Sequence, residues 1–239
     1  MDEKSWFFHI GPIWFDGTVT TMVIITCLIV FLIVFACTRN LSMKPTGKQN
    51  AIEWLIDFTS GIVSDNMPRK EVRNFSFFSF TLFLFIFVAN QIGLITKIVT
   101  PQEVTLWKSP TADPFVTMGL AMMILVLSNL LASERFGLRG YIKNSFLSPM
   151  PMLLPIKIME EFTNVITLGL RLYGNIYAGE VLLTLIASMV TSLGWWSIPF
   201  AIPLEMIWIA FSLFIGSIQA FVFTTLSMVY ISHQIEVEE

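Results

Sequence analysis

A single arginine, Arg171, lies near the middle of an apolar segment that spans residues 155–193. An arginine at the centre of a membrane span costs at least about 2.5 kcal/mol, and its guanidinium keeps its charge at every working pH. Such residues usually face a bundle interior or an aqueous cavity and mark the path of an ion. The alternative is a structural arginine paired with a carboxylate of the same chain, and the residue alone leaves both interpretations open.

Other polar side chains follow this segment at helical spacing. At about 100° per residue, Glu160, Asn164 and Asn175 fall within about 40° of Arg171. Glu180 falls on the opposite face, so it is poorly placed to neutralise Arg171 and is expected to point toward the rest of the chain. The segment therefore carries one polar stripe and one separate acid.

A second polar line follows the final apolar segment, residues 198–232. Its members recur at multiples of seven or lie within about 20° of that line: Glu205, Ser212, Gln219, Tyr230 and His233. A polar line along an apolar helix is costly in lipid, so we interpret it as the lining of an aqueous path. Interhelical hydrogen bonds are the alternative, and both explanations can hold together.

Composition places these segments in a membrane. The 239 residues are 55% hydrophobic and only 13% charged, whereas a soluble domain is about a quarter charged. A span needs about 20 apolar residues, and five segments qualify: residues 19–37, 75–95, 115–132, 155–193 and 198–232. The net charge of −3 gives no reason to expect nucleic acid, and Cys27 and Cys37 form no metal or redox motif. We predict neither a cofactor nor a metal.

The last two spans are longer than a bilayer requires. Each would exceed about 50 Å at 1.5 Å per residue, against a hydrocarbon core of about 30 Å, so each must tilt or kink. Residues 50–70 show helical spacing of apolar side chains, which is typical of an amphipathic surface helix. We predict an all-α membrane protein: one embedded domain over residues 1–239, with five spans, this surface helix and a final long, strongly tilted hairpin.

The basic residues predict the orientation through the positive-inside rule. With the N-terminus outside, ten of them fall in inside segments and three in outside segments, which also places the C-terminus in the cytoplasm. The inside set is Arg39, Lys44, Lys48, Arg69, Lys70, Arg73, Arg135, Arg139, Lys143 and Lys157, and the outside set is Lys4, Lys97 and Lys108.

This orientation gives polar approaches to Arg171 from both surfaces. Near the inner surface lie Glu160, Glu161, Asn164, Tyr230 and His233, and nearer the outer surface lie Glu180 and Glu205. A permanent cation sits where the two approaches meet. The pattern suits two half-paths separated by a charge better than one open pore.

Small residues surround the arginine: Gly169, Gly174, Ala178 and Gly179. Small residues let another helix approach closely in a membrane. The sequence leaves open whether that helix belongs to this chain or to a partner.

Two motifs resemble a known family. Gly169-Leu-Arg-Leu-Tyr-Gly-Asn175 followed by Ala178-Gly-Glu180 is similar to the signature of the a subunit of F-type ATP synthases. The segments 218–223 and 229–232 resemble the last helix of that family. The layout is similar over nearly the whole chain, and it is most like the bacterial, Bacillus-like form.

The resemblance implies a non-catalytic stator subunit of the Fo sector in the bacterial plasma membrane. It implies that two offset half-channels load and unload carboxyls on a rotating ring, which couples proton translocation to ring rotation and ATP synthesis. The implied partners are the c-subunit ring, the b subunits of the peripheral stalk and the rest of the F1Fo complex. The family's essential arginine falls on Arg171, and its asparagine, acid and glutamine fall on Asn175, Glu180 and Gln219.

The chain departs from some relatives at two positions. Ser212 stands where some members carry a histidine opposite the acid that matches Glu180, and Lys157 stands where some carry an acid.

Three other functions explain the sequence less well than this one. A stand-alone proton-coupled transporter would be expected to show inverted repeats of broken helices, and none is visible. A membrane enzyme would be expected to carry a metal motif, a nucleophile elbow or a phosphate loop, and this sequence shows none of these. A purely structural subunit would leave the polar stripes around Arg171 without an explanation.

Overall fold

The computed structural model describes residues 7–10, 13–39, 41–44, 47–95, 109–141, 152 and 154–235. Within these residues, strands β1 (Phe7–Ile10) and β2 (Ile13–Asp16) form an antiparallel ribbon in which Phe7 pairs with Asp16. The α-helices are α1 (Gly17–Thr38), α2 (Lys48–Asn66), α3 (Val72–Ile95), α4 (Pro114–Tyr141), α5 (Leu154–Leu193) and α6 (Ile198–Ile235). Short 3₁₀ turns lie at Pro110–Ala112 and Trp195–Ser197.

Five of these helices are long and apolar enough to cross a membrane: α1, α3, α4, α5 and α6. The predicted all-α membrane protein with five spans is thus confirmed, and the ribbon before α1 is an addition that the sequence analysis did not foresee. The surface position of α2 and the tilt of the α5–α6 hairpin stay predictions. Four of the basic residues behind the predicted orientation, Lys4, Lys97, Lys108 and Lys143, lie outside the described residues.

Local sequence signals fix where several helices begin or end. The Asp16 carboxylate accepts hydrogen bonds from the backbone N–H groups of Thr18 and Val19, at 2.9 and 3.2 Å, and so caps α1. Asp113 accepts from the N–H of Phe115 at 2.8 Å beside Pro114, which suits the first position of α4. Gly194, at φ 76°, ends α5 in the left-handed conformation that favours glycine.

The helix α3 forms the centre of the bundle. Of the residues in the apolar stretch of α3, 61% are buried, whereas only 11% are buried in that of α1. The helix α1 therefore lies at the edge. The largest core cluster joins α3, α4, α5 and α6 through side chains such as Ile86, Ile124, Leu172 and Phe223, which are at most 1% exposed. The long hairpin is therefore held on one side by α3 and α4.

The largest difference between a predicted boundary and the structure lies at the end of the third span. The third span was predicted to end at residue 132, just before a charged stretch, but α4 continues to Tyr141 with an interruption at Gly137 (φ 71°, ψ 157°). Arg135 on this extension forms an ion pair with Glu71 at 3.2 Å. The extension thus has a partner in the segment just before α3.

Candidate functional site

Arg171 lies near the middle of α5, 17 residues after Leu154 and 22 before Leu193. Its side chain is on an exposed face of the helix, together with Gly174, Asn175 and Ala178. In the described part of the chain, Arg171 forms no ion pair with a carboxylate, whereas Arg135 forms one with Glu71. The structure therefore gives no support to the alternative of an internally neutralised structural arginine.

The side chains of Asn175 and Gln219 join the two long helices one turn beyond Arg171. The amide of Asn175 donates to Oε1 of Gln219 at 3.1 Å. Gln219 is 3% exposed, and its Nε2 atom is buried without a hydrogen-bond partner. A buried donor without a partner is unusual in proteins, so the pair combines a fixed bridge with an unused donor beside the arginine.

A cavity of about 50 Å³ lies on the N-terminal side of Arg171 along α5. It brings together four of the predicted site residues, Glu161, Asn164, Tyr230 and His233, while Glu160 is exposed and not among the lining residues. One water needs about 10–15 Å³ of such space, so the cavity can hold a few waters. We name it the inner cavity, after the orientation that the basic residues predict.

Glu161 is the anchored acid of the inner cavity. Its carboxylate accepts from Nε2 of Gln234 at 2.6 Å, and the side chain of Asn129 also hydrogen-bonds to it. Neither Asn129 nor Gln234 was singled out from the sequence, because each is an isolated amide without a periodic companion. The contacts tie α5 to both α4 and α6.

A second cavity, of about 180 Å³, lies on the C-terminal side of Arg171. We name it the outer cavity. Asn175, Gly179, Trp208 and Ser212 line it, and the Oγ atom of Ser212 is buried without a partner. Trp208 donates through Nε1 to the carbonyl of Gly179 at 3.2 Å and so closes the space between the helices. Glu205, one of the predicted residues, is half-buried and outside the lining set.

Glu180 points away from the outer cavity and into the bundle. It is 8% exposed, and its Oε1 atom accepts from the backbone N–H of Ser109 at 3.2 Å. This matches the face that helical spacing predicted for Glu180. Ser212, which stands where some relatives carry a histidine, makes no hydrogen bond to it, since its Oγ has no partner.

Two polar residues of α3, Asn90 and Gln91, lie near the hairpin and were not among the predicted site residues. Asn90 is fully buried and donates to the carbonyl of Gly216 at 2.9 Å, and Gln91 donates to Leu213 at 3.3 Å and to Ser217 at 3.4 Å. Two amides in an otherwise apolar span were the available signal, since polar groups there require partners. They bind α3 to the middle of α6.

Comparison with known proteins shows the family. The sequence profile of the family described as "ATP synthase A chain" matches residues 20–232. The chain belongs to the ATP synthase A chain family. It is also 70% identical over 239 residues to the ATP synthase subunit a of Enterococcus hirae, and 63% identical over 239 residues to that of Enterococcus faecalis, with all of each chain covered.

A further relative of the ATP synthase A chain family is more distant. The ATP synthase subunit a of Pediococcus pentosaceus is 50% identical over 215 residues, which cover 90% of each chain. The resemblance found in the motifs around Arg171 is thus confirmed over nearly the whole length. Together with the five apolar helices, it makes this chain a multi-pass bacterial membrane protein of that family.

Proposed function

We propose that this chain is the non-catalytic, proton-translocating stator subunit of the Fo sector, and that Arg171 separates two half-channels. One observation carries the proposal: the inner cavity extends along α5 to Leu168, and the outer cavity begins at Asn175. Arg171 lies between them. Seven residues of helix rise about 10 Å, so the gap is short enough for one side chain to control.

The chemistry of arginine suits such a barrier. Its guanidinium does not release a proton, so it cannot relay one from the outer cavity to the inner cavity. A proton crossing a membrane at 100 mV releases about 2.3 kcal/mol. A fixed charge at Arg171 prevents that free energy from being lost without rotation, and it stabilises an ionised ring carboxyl that passes nearby.

The two half-channels divide the polar residues between them. The inner half-channel uses the inner cavity, which Glu161, Asn164, Tyr230 and His233 line, together with Glu160 on the exposed surface of α5. The outer half-channel uses Glu205, Ser212 and Glu180, while Asn175 and Gln219 stand beside Arg171 at the point where ring carboxyls load and unload protons. With this division the N-terminus lies outside the cell and the C-terminus in the cytoplasm.

The exposed face around Arg171 fits the c-subunit ring. A Cβ atom added at Gly174 would meet nothing within 4 Å, so this glycine is not required by packing within the chain. A Cβ at Gly169 would lie 2.5 Å from the sulfur of Met118, so that glycine serves internal packing. The small surface beside Arg171 is therefore free for a helix of the ring.

The edge helix α1 offers a surface for the remaining partners. It exposes a helical stripe of large apolar side chains, Ile24, Leu28, Phe31 and Phe35. Such a stripe suits lipid and the membrane helices of the b subunits, and through these partners the chain forms part of the F1Fo complex.

The first test replaces Arg171 by alanine and measures ATP-driven proton pumping and passive proton leak in membrane vesicles. The expected result is loss of pumping in an assembled complex, checked by co-purification of the F1 subunits. Arg135→Ala is the matched control, because Arg135 lies on the surface in an ion pair worth at most about 1 kcal/mol. Pumping near the normal rate in Arg171→Ala would overturn the proposal.

A further inference from the structure

The turn around Ser109 is buried, although it belongs to the connection between two spans. Ser109 and Thr111 are both 0% exposed, and Pro110 and Ala112 are buried with them. The backbone N–H of Ser109 points at Oε1 of Glu180, at 3.2 Å. A part of the α3–α4 connection thus enters the bundle and contacts an acid of α5.

Side-chain hydrogen bonds fix this turn to two helices. Ser109 Oγ donates to the carbonyl of Ala89 at 2.8 Å and lies 2.8 Å from Oγ1 of Thr111. Thr111 donates to Oδ1 of Asn90 at 2.8 Å, and Asn90 in turn donates to Gly216 of α6. The N–H of Ser109 is therefore held in place from α3 and, through Asn90, from α6.

Gly93 supplies the space in which the turn and the acid meet. A Cβ atom at this position would overlap Cβ of Ser109 and lie 2.7 Å from both Oε1 of Glu180 and the nitrogen of Ser109. Real Cβ atoms essentially never approach backbone that closely. Any side chain at Gly93 therefore displaces either the Glu180 carboxylate or the turn.

We propose that Ser109, through its backbone N–H, and Gly93, through its missing side chain, are positioning residues for Glu180. The inference rests on the proposed function, in which Glu180 is a group of the outer half-channel. A hydrogen bond from N–H to a carboxylate is charge-assisted and about twice as strong as a neutral one. It holds the acid in one orientation as protons pass.

The backbone of Ser109 allows a direct test, because its φ of −59° and ψ of 128° are values that proline adopts. Ser109→Pro removes the N–H and places a ring carbon where the hydrogen pointed, so the Glu180 carboxylate loses this hydrogen bond. Ser109→Ala is the matched control: it keeps the N–H and removes only the hydroxyl bonds to Ala89 and Thr111. The difference between the two variants reports the replacement of the N–H by a ring carbon at the Glu180 contact.

Both variants are measured in the whole complex, in vesicles, for passive proton conduction through Fo and its pH profile. We expect conduction in Ser109→Pro to be at least about tenfold below that in Ser109→Ala, as for loss of a hydrogen bond to a charged group. The pH profile should shift in the proline variant alone, a change that looser packing would not produce. Equal conduction and equal profiles in assembled complexes would overturn the inference.

A second pair decides the matter if Ser109→Pro does not assemble. Gly93→Ala introduces the overlap with Ser109 and Glu180, whereas Gly119→Ala adds a methyl group with nothing within 4 Å. Reduced conduction with a shifted pH profile in Gly93→Ala alone supports the inference. Equal conduction and equal pH profiles in Gly93→Ala and Gly119→Ala would refute it.

Glu180→Gln separates this inference from the proposed function. If Glu180→Gln conducts normally, Glu180 has no part in the path and the proposed role of that acid fails, and the inference with it. If Glu180→Gln is inactive while Ser109→Pro matches Ser109→Ala, only the positioning role fails.

Discussion

A hydrogen bond between Asn175 and Gln219 joins the two helices of the hairpin, one helical turn after Arg171 on α5. Their side chains meet at 3.1 Å across the α5–α6 interface, and the Nε2 atom of Gln219 is buried without a hydrogen-bond partner among the described residues. The bridge fixes the orientation of both amides beside Arg171. Because the two side chains share one hydrogen bond, the loss of either should affect proton passage through the same interaction.

A double-mutant cycle tests this coupling. We expect Asn175→Ala and Gln219→Ala each to slow passive proton conduction, and the double variant to lose about 0.5–1.5 kcal/mol less than the sum of the two. Asn164→Ala combined with Gln219→Ala is the control, because Asn164 lies 11 residues from Asn175 on α5, about 16 Å along the helix. Additive losses in the Asn175–Gln219 pair would contradict the prediction.

Helical phase predicted the direction of individual side chains well where a helix is regular. Glu180 was expected on the face opposite Arg171, and it is buried while Arg171 is exposed. Its contact with Ser109 was out of reach of the sequence, since a backbone donor 71 residues away leaves no periodic signal. Side-chain direction is local, but the identity of a long-range partner depends on the packed bundle.

The helix α5 uses its small residues in two different ways. Gly169 is buried, and a Cβ there would lie 2.5 Å from the sulfur and 3.2 Å from Cα of Met118, so α4 packs closely against this glycine. Gly174 is exposed beside Arg171, with free space around it. The choice that the sequence left open, internal packing or an external partner, therefore has a different answer at each glycine.

Two alanine substitutions separate these roles. Gly169→Ala should overpack the α4–α5 interface at about 1–3 kcal/mol, which lowers the amount of this subunit in the membrane by immunoblot. Gly174→Ala should leave that amount unchanged, because alanine also favours helix, yet it should slow ATP-driven pumping if the ring packs on this face. Normal pumping in Gly174→Ala, or normal amounts of Gly169→Ala, would contradict the assignment.

Whole helices were predictable to different degrees. Long apolar runs marked the five spans, because lipid demands continuous hydrogen-bonded helices of about 20 apolar residues. The extension of α4 past residue 132 was missed, since its charged residues indicated a loop and the partner of Arg135 lies 64 residues away. The burial of the turn at Pro110–Ala112 left no signal in the sequence, because a proline indicates a turn but carries no information about whether that turn is buried.

The molecule as a whole is asymmetric around α3. The buried helix α3 holds the hairpin on one side through Asn90 and Gln91, while the opposite side of the hairpin keeps Arg171 exposed. One apolar helix, α1, stands at the edge. The exposed face at Arg171 and the exposed stripe of α1 are thus distinct surfaces, as the proposed separate contacts with a rotating ring and a fixed stalk require.

The orientation of the whole chain gives the last prediction. With the N-terminus outside, Met43 after α1 lies in the cytoplasm and Trp196 at the turn of the hairpin lies outside; both are more than 90% exposed. In a background without Cys27 and Cys37, a membrane-impermeant maleimide should label Met43→Cys only in inside-out vesicles and Trp196→Cys only in right-side-out vesicles. Phe31→Cys is the control: its side chain is 63% exposed but lies within α1, where lipid excludes the reagent on both sides. The opposite pattern at Met43 and Trp196 would exchange the inner and outer cavities, and it would leave the separation by Arg171 intact while reversing which surface supplies the protons.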